Sequence, residues 1–573
     1  MQIWKQRLSQ TPKPQGAFPD LIARVLASRE ILQDQLADLL QPKLSELKDP
    51  NSLLGMAKAV QRLVQAYKNN EKLCIYADFD LDGTSGLAIL KIGLEKLGFK
   101  DVAYYQPKRL SEGYGFHADA VTELKNLGVS LIVTVDVGIT SFKAFERGKE
   151  LGVDVILTDH HLPAEKLPDA YVVVNPNQKE CTSGLGYLCG AGVAFYLLRA
   201  LKRAFFEDSE LPKNEWDLKE VLEFFCIGTV TDMVPLIGDN RVLVKHGLVA
   251  LSQTKKPGLR TLLAALKLED RELTSQDVAI RFAPKLNALS RLENNILPAQ
   301  IYLETDHRKA QQMVSEILEN NVTRQNLQSD AEKKAFEYLE SWTEPDFVFV
   351  SSDLFHRGVI GLISTKLSQH FNRPAFVGSK NSEGMIVGSS RTPPGSSISL
   401  VEALKSCESV LNRFGGHAAA AGFELHETSE NLMRKLLKNH FVALKSEPKP
   451  LQIDFDTSAS ISEINSNTMK WHDFIGPFGM GFQVPLIQLS DCKVLSKKEL
   501  KGGHLKLNLT SSDDESLKQK NGNCLEALLF SPSTEIKDKL SLGNRFHFLA
   551  EMQWNYFNGQ KSIQLLIKDV KTL

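Results

Sequence analysis

Between Leu73 and Asp232, short apolar runs alternate with segments of helical spacing: LCIYAD precedes LAILKIGLEKLG, LIVTVD precedes SFKAFERGKELG, and DVILTD and FFCIGTVTD follow. Strand-length runs separated by helical patterns predict an α/β lobe, a parallel sheet wrapped by helices, with FFCIGTVTD as its last strand. Residues 1–70 read as polar and helical and end in the amphipathic run MAKAVQRLVQAYKNNEK, which predicts a cap on that lobe. A helical segment continues to about residue 300. Residues 306–342 then keep helical spacing without Gly or Pro, predicting one long connecting helix. A second, smaller α/β pattern, FVFVSS then GLISTKLSQHF, runs into the Gly/Ala-rich stretch RFGGHAAAAGFEL. After Pro450 short strands with turn signals, such as HLKLNLT and SIQLLIKDV, predict a β-barrel, interrupted by the polar loop SSDDESLKQKNGN. The chain thus divides into 1–70, 71–304, 305–342, 343–447 and 448–573.

Composition narrows the class of protein. The 573 residues exceed one hydrophobic core, in keeping with several domains. No stretch approaches the roughly 20 apolar residues that span a bilayer, and the N-terminus lacks an apolar signal core, so a cytoplasmic protein is expected. Seven cysteines without a CxxC pair argue against a zinc knuckle or a disulfide framework. A net charge of −1 neither supports nor excludes nucleic acid; phosphate affinity has to come from a local basic patch.

The chemistry lies where acids and histidines meet the strand ends. The first strand runs into Asp78, Asp80 and Asp82, the second ends at Asp136, the third at Asp159, His160 and His161, and the last at Asp232. Parallel strands bring such ends together at the edge where open α/β sheets bind ligands. That many carboxylates repel one another unless cations are present. Asp and His ligands without thiolate favour Mn²⁺, or Mg²⁺, over structural zinc. A carboxylate such as Asp136 is placed to bridge two ions, the arrangement that promotes in-line phosphoryl displacement, so the reaction class is phosphodiester hydrolysis. An EF-hand is excluded because Ile89, Leu90, Lys91 and Ile92 stand where its last ligand belongs. The other Asp-His pair, Asp306 and His307, reads as a helix cap.

In order, ADFDLDGTSG, TVDVGIT, TDHH and GTVTDMVPLIGDNR resemble the phosphoesterase motifs of the DHH superfamily, and their wording is most similar to the RecJ exonucleases. PKRLSEGYGF, VNPNQ, LCGAGVAF, FAPKLNALSR, HRGVIGLISTKL, GSSR, RFGGHAAAAGF and PFGMGF extend the resemblance over nearly the whole chain beyond residue 70. The resemblance implies a DHH catalytic domain, the connecting helix, a DHHA1 domain and a C-terminal OB-fold. It implies a single-stranded-DNA-specific 5′-to-3′ exonuclease that releases mononucleotides in DNA repair and recombination, with two Mn²⁺ or Mg²⁺ ions. A monomer is the default expectation, and a single-strand-binding protein and a helicase are the candidate protein partners. Asp80, Asp82, Asp136, His160 and Asp232 would hold the metals, Asp78 would complete the first acidic motif, His161 would meet the scissile phosphate or a metal, and Asp159 would orient an imidazole.

Ser389, Ser390 and Arg391 form a group suited to a terminal phosphate, with Arg291 a second guanidinium. His417 follows two glycines that allow close approach to nucleic acid, Tyr114 offers a face for a base, and Arg109 a contact to the backbone. Val137, Ser290 and Phe482 depart from the family pattern, which has Asn, Gly and Asn there; none removes a ligand. Two rival readings remain: an oligoribonuclease or cyclic-dinucleotide phosphodiesterase of the same superfamily, and a non-catalytic replication scaffold.

Overall fold

The computed structural model describes residues 3–7, 13–292, 296–444, 452–511, 524–557 and 559–572. The loop expected at 512–523 lies outside them. The chain forms two compact units, residues 49–234 with 246–448, and residues 1–48 with 235–245 and 449–573.

The first unit opens with a wholly parallel sheet of β1 (Leu73–Ala77), β2 (Val102–Tyr105), β3 (Leu131–Val135), β4 (Asp154–Thr158) and β5 (Val172–Val174), in the order 2-1-3-4-5. β1, β3 and most of β4 are buried, which is why they read as continuous apolar runs. Helix α1 (Leu81–Lys96) packs against α2 (Gly190–Glu207) and α3 (Leu222–Thr231). The run FFCIGTVTD is therefore not the last strand: it forms α3, and Asp232 is the residue that ends that helix. Residues Leu222 through Thr229 are all buried, and a helix apolar on every face has no amphipathic period to tell it from a buried strand. The sheet instead gains β2 and β5, two strands of four and three residues that the apolar pattern does not announce.

After α4 (Ala283–Leu292), the 33-residue helix α5 (His307–Leu339) runs unbroken, capped by Asp306, whose carboxylate accepts from the amides of Arg308 and Lys309. It leads to the second sheet, built of β6 (Val348–Ser352), β7 (Ala375–Lys380), β8 (Met385–Arg391), β9 (Arg413–Gly416) and β10 (Ala420–His426) in the order 9-10-8-7-6. β6 and β7 are parallel and the remaining pairs antiparallel, and α6 (Ile360–Phe371) packs on this sheet. Phe347, Phe349, Phe376, Phe423 and Phe441 fill its core.

The second unit holds a barrel of strands Leu486–Leu500, His504–Ser511, Cys524–Leu529, Gln560–Thr572 and Arg545–Phe557, closed by pairing of the first with the last. Leu489, Val494, Leu507, Phe548 and Leu565 lie in its interior. Residues 1–48 belong with this barrel rather than with the lobe that follows them in sequence. Strand Ile3–Gln6 pairs with Gln452–Phe455, and Arg29 grips the buried carboxylate of Asp456 through two nitrogens at 2.8 and 3.0 Å. In each case an α/β or all-β class read from the sequence is the class observed.

Candidate metal centre

The strand order places the topological switch point between β1 and β3, and the acidic motifs sit on those two strand ends. Three acids each pass their backbone N–H to the end of the next strand. Asp78 donates to Val135 O, Asp136 to Thr158 O, and Asp159 to Val174 O, at 3.2, 3.2 and 3.3 Å. The ladder thus continues one residue beyond each strand and sets the carboxylates side by side.

Local devices then aim them. Asp80 caps α1, its Oδ1 accepting from the amides of Asp82 and Gly83 at 2.8 and 3.1 Å. Asp82 is buried and receives the amides of Gly190 and Ala191, the first residues of α2, at 2.6 and 2.9 Å, an anion on a helix N-terminus. A side chain at Gly190 would come within 2.4 Å of Asp136 Cβ, so only glycine admits this approach. Asp136 itself has φ 61°, a conformation that Asp tolerates better than most residues. Asp159 Oδ1 accepts from the amides of His160 and His161 and from His161 Nδ1 at 2.8 Å, while Oδ2 accepts from Ile139 N. Asn175 and Asn177, whose role the VNPNQ segment did not reveal in sequence, donate to the backbone carbonyls of His161 and His160 at 2.9 and 2.6 Å.

The result is three overlapping groups able to hold a cation: Asp78, Asp80 and Asp136; Asp82, His160 and Asp232; and Asp136, His160 and His161. His160 Nε2 stands 3.1 Å from Asp136 Oδ1, 3.6 Å from Asp232 Oδ2 and 3.8 Å from Asp82 Oδ2. Yet Asp78 Oδ1, Asp136 Oδ1, Asp232 Oδ2 and His160 Nε2 are buried atoms without a hydrogen-bond partner. Buried polar atoms are rarely left so. Lone pairs directed at a shared space rather than at one another fit divalent cations, and the oxygen-and-imidazole donor set fits Mn²⁺ or Mg²⁺.

The electrostatics agree. Burial first, then neighbouring carboxylates, holds Asp78 and Asp136 well above the ordinary carboxylate range and pushes Asp232 up to about 9. Burial opposes charge on His161, but the hydrogen bond and charge of Asp159 outweigh it and lift the ring to about 9. Burial lowers His160, leaving it a neutral ligand.

A basic group lies beside the acids. Burial lowers Arg109, Arg291 and Arg391, and Arg109 adds like-charge repulsion to both of the others; Arg291 falls to about 9. Arg291 donates to Gly358 O at 3.2 Å and Arg391 to Ser389 Oγ at 3.0 Å. Clustered guanidiniums that, among the described residues, have no carboxylate bonded to Arg291 or Arg391 form a seat for an anion. Ser390 does not join them: its side chain is fully buried and its hydroxyl donates to Ala421 O at 2.9 Å, because alternate residues of a strand face opposite ways. Tyr114 is 50% exposed rather than packed, with its hydroxyl 3.4 Å from Asp136 O and its ring edge-on to His161. His417 is exposed just beyond β9, and its backbone N–H donates to Ala420 O at 2.8 Å.

Residues 72–229 match the DHH family, N-terminal domain, residues 345–442 the DHHA1 domain, and residues 455–569 the RecJ OB domain. The single-stranded-DNA-specific exonuclease RecJ of Haemophilus influenzae is 30% identical over 96% of this chain and 96% of its own. The chain belongs to the RecJ family. RecJ of Bacillus subtilis is 32% identical over 96% of this chain and 67% of its own. The crystal structure of RecJ from Thermus thermophilus in complex with Mn²⁺ superposes with a TM-score of 0.81 at 26% identity, covering 100% of this chain and 80% of that one. RecJ membership accounts for the full series of motifs, barrel included. No helix among the described residues is long and apolar enough to cross a membrane.

Proposed function

We propose that this chain hydrolyses single-stranded DNA from its 5′ end, releasing mononucleotides, as a metal-dependent exonuclease of DNA repair and recombination. One observation carries the reading: buried, unpartnered carboxylate and imidazole atoms converge at the switch point of the sheet, beside a half-buried arginine cluster. Asp80, Asp82, Asp136, His160 and Asp232 would hold two ions, Mn²⁺ or Mg²⁺, the ions named for the Thermus RecJ complexes. Bound there, such ions supply Lewis acidity toward the phosphoryl oxygens and make water a better nucleophile at neutral pH.

The chain's own groups do the rest. Asp136, shared by two of the ligand groups, ties them together. Asp159 accepts a hydrogen bond from His161 Nδ1, which fixes the ring and leaves Nε2 for the scissile phosphate. Arg109, Arg291, Arg391 and Ser389 receive the terminal phosphate, Tyr114 stacks on a base, and the OB-type barrel is a second element suited to single-stranded DNA. Our working division is 71–304, 305–342, 343–447 and 448–573, with residues 1–48 of the segment 1–70 grouped with the last of these. A cytoplasmic monomer acting beside a single-strand-binding protein and a helicase completes the reading.

The test is a time course on single-stranded DNA labelled at either end, with Mn²⁺, Mg²⁺ or EDTA. Prompt release of small 5′-labelled products that EDTA abolishes is expected. Faster turnover of a dinucleotide than of a long strand moves the chain to the small-substrate branch, and no hydrolysis with any metal leaves the scaffold.

A further inference from the structure

We propose that Phe79, the residue between the first two acids of ADFDLDG, is a positioning residue for the terminal phosphate, acting through Arg109. The inference rests on the terminal-phosphate role given above to the arginine cluster. The guanidinium carbon of Arg109 lies over the Phe79 ring, 5.1 Å from its centroid. Among the described residues the Arg109 guanidinium makes no hydrogen bond or ion pair, so this aromatic face is what its head group rests on.

The backbone on either side of Arg109 is already fixed. Gln106 ties the start of the loop to the acidic motif, donating to Asp78 O at 2.8 Å and Thr84 Oγ1 at 3.0 Å. Lys108 O accepts from Glu112 N and Gly113 N, and Leu110 O accepts from Arg357 Nη1 at 3.0 Å. What remains free in Arg109 is its long side chain, which feels attraction from Asp78 and Asp80 and repulsion from Arg291 and Arg391. Left alone, such a side chain would swing onto the carboxylates and occupy the metal centre. The negative face of the ring offers the guanidinium a second resting place. Phe79 thereby keeps two oppositely charged halves of the site from neutralising each other.

Phe79 also lines a small cavity with Pro107, Leu289 and Pro298, and a purely packing role would cost stability without altering which strand ends are preferred. The test compares Phe79→Leu, Phe79→Tyr and Arg109→Ala with the parent chain, measuring kcat and KM on oligonucleotides ending in 5′-phosphate or 5′-hydroxyl. A Mn²⁺-dependent rise in Tm verifies that each variant folds; should Phe79→Leu show none, Phe79→Met, apolar but without a ring face, replaces it. Phe79→Leu should lower the preference for phosphorylated ends about tenfold, through KM, whereas Phe79→Tyr keeps it within about twofold. Equal loss on both kinds of end, or a loss in Phe79→Tyr as large as in Phe79→Leu, overturns the proposal. If Arg109→Ala abolishes the preference and Phe79→Leu retains it, the proposal fails and the phosphate seat stands; if neither variant alters it, both fall.

Discussion

Asp136 Oδ1 and His160 Nε2 face each other across 3.1 Å without a hydrogen bond between them. Both atoms are buried, and the fold around them holds them at this distance. Asp136 pays a conformational cost at φ 61° and Gly190 gives up a side chain to let it sit there.

Asp136→Asn should therefore lower turnover by orders of magnitude while raising the Tm of the metal-free protein by about 2–4 °C, because it removes one of several repelling carboxylates. Asn is preferred to Ala because it tolerates positive φ. Calorimetry without metal, beside the 5′-label assay, checks both halves; a fall in Tm would mean that Asp136 is a packing residue.

Stability without metal should fall as pH rises. Asp232 has its carboxyl raised from an ordinary 3.8 to about 9, so the folded state keeps a proton that the unfolded state has lost. Its contribution is present below 3.8 and disappears progressively up to about 9. His161, raised from 6.5 to about 9, acts in the same direction between those values. Saturating Mn²⁺ displaces those protons, so its stabilisation, about 5 °C near pH 7, should grow toward pH 9. A metal-induced shift that is flat with pH counts against Asp232 as a ligand and against His161 as a group beside the ions.

Asp159→Asn should cost about 10–100-fold in kcat, since it releases the His161 ring and two backbone amides. Mn²⁺ affinity is read in parallel, and unchanged values of both would show that Asp159 serves only to end its strand.

On β8, Arg391→Ala should raise KM for phosphorylated ends and spare Mn²⁺ binding. Ser390→Ala should leave that KM alone and cost about 1 kcal/mol of stability through the lost bond to Ala421 O. Reversed outcomes would place the wrong face of the strand against the phosphate.

Much of the catalytic lobe was legible because a parallel sheet writes its ends into the sequence. Asp78, Asp136 and Asp159 each follow an apolar run directly, and the structure extends the ladder through each of them. Asp232 was placed at the right edge on the wrong element, since α3 is buried all round and its sequence carries no period. Phe79 gave no signal, because a cation resting on a ring depends on a loop 30 residues away. Asn175 and Asn177 support backbone carbonyls, and nothing in an Asn side chain announces such a partner. Ser390 was grouped with its neighbours by adjacency, where strand alternation sets it apart.

That alternation constrains what the second sheet can tolerate over evolutionary time. β7 and β8 are joined by a tight connection at residues 381–384, and the register that follows decides which side chains reach the phosphate seat. Inserting one residue after that turn would turn Ser390 outward and bury Ser389 and Arg391 together. Surviving length variants of this hairpin should accordingly differ by two residues, or carry a compensating bulge, while the turn sequence itself drifts freely.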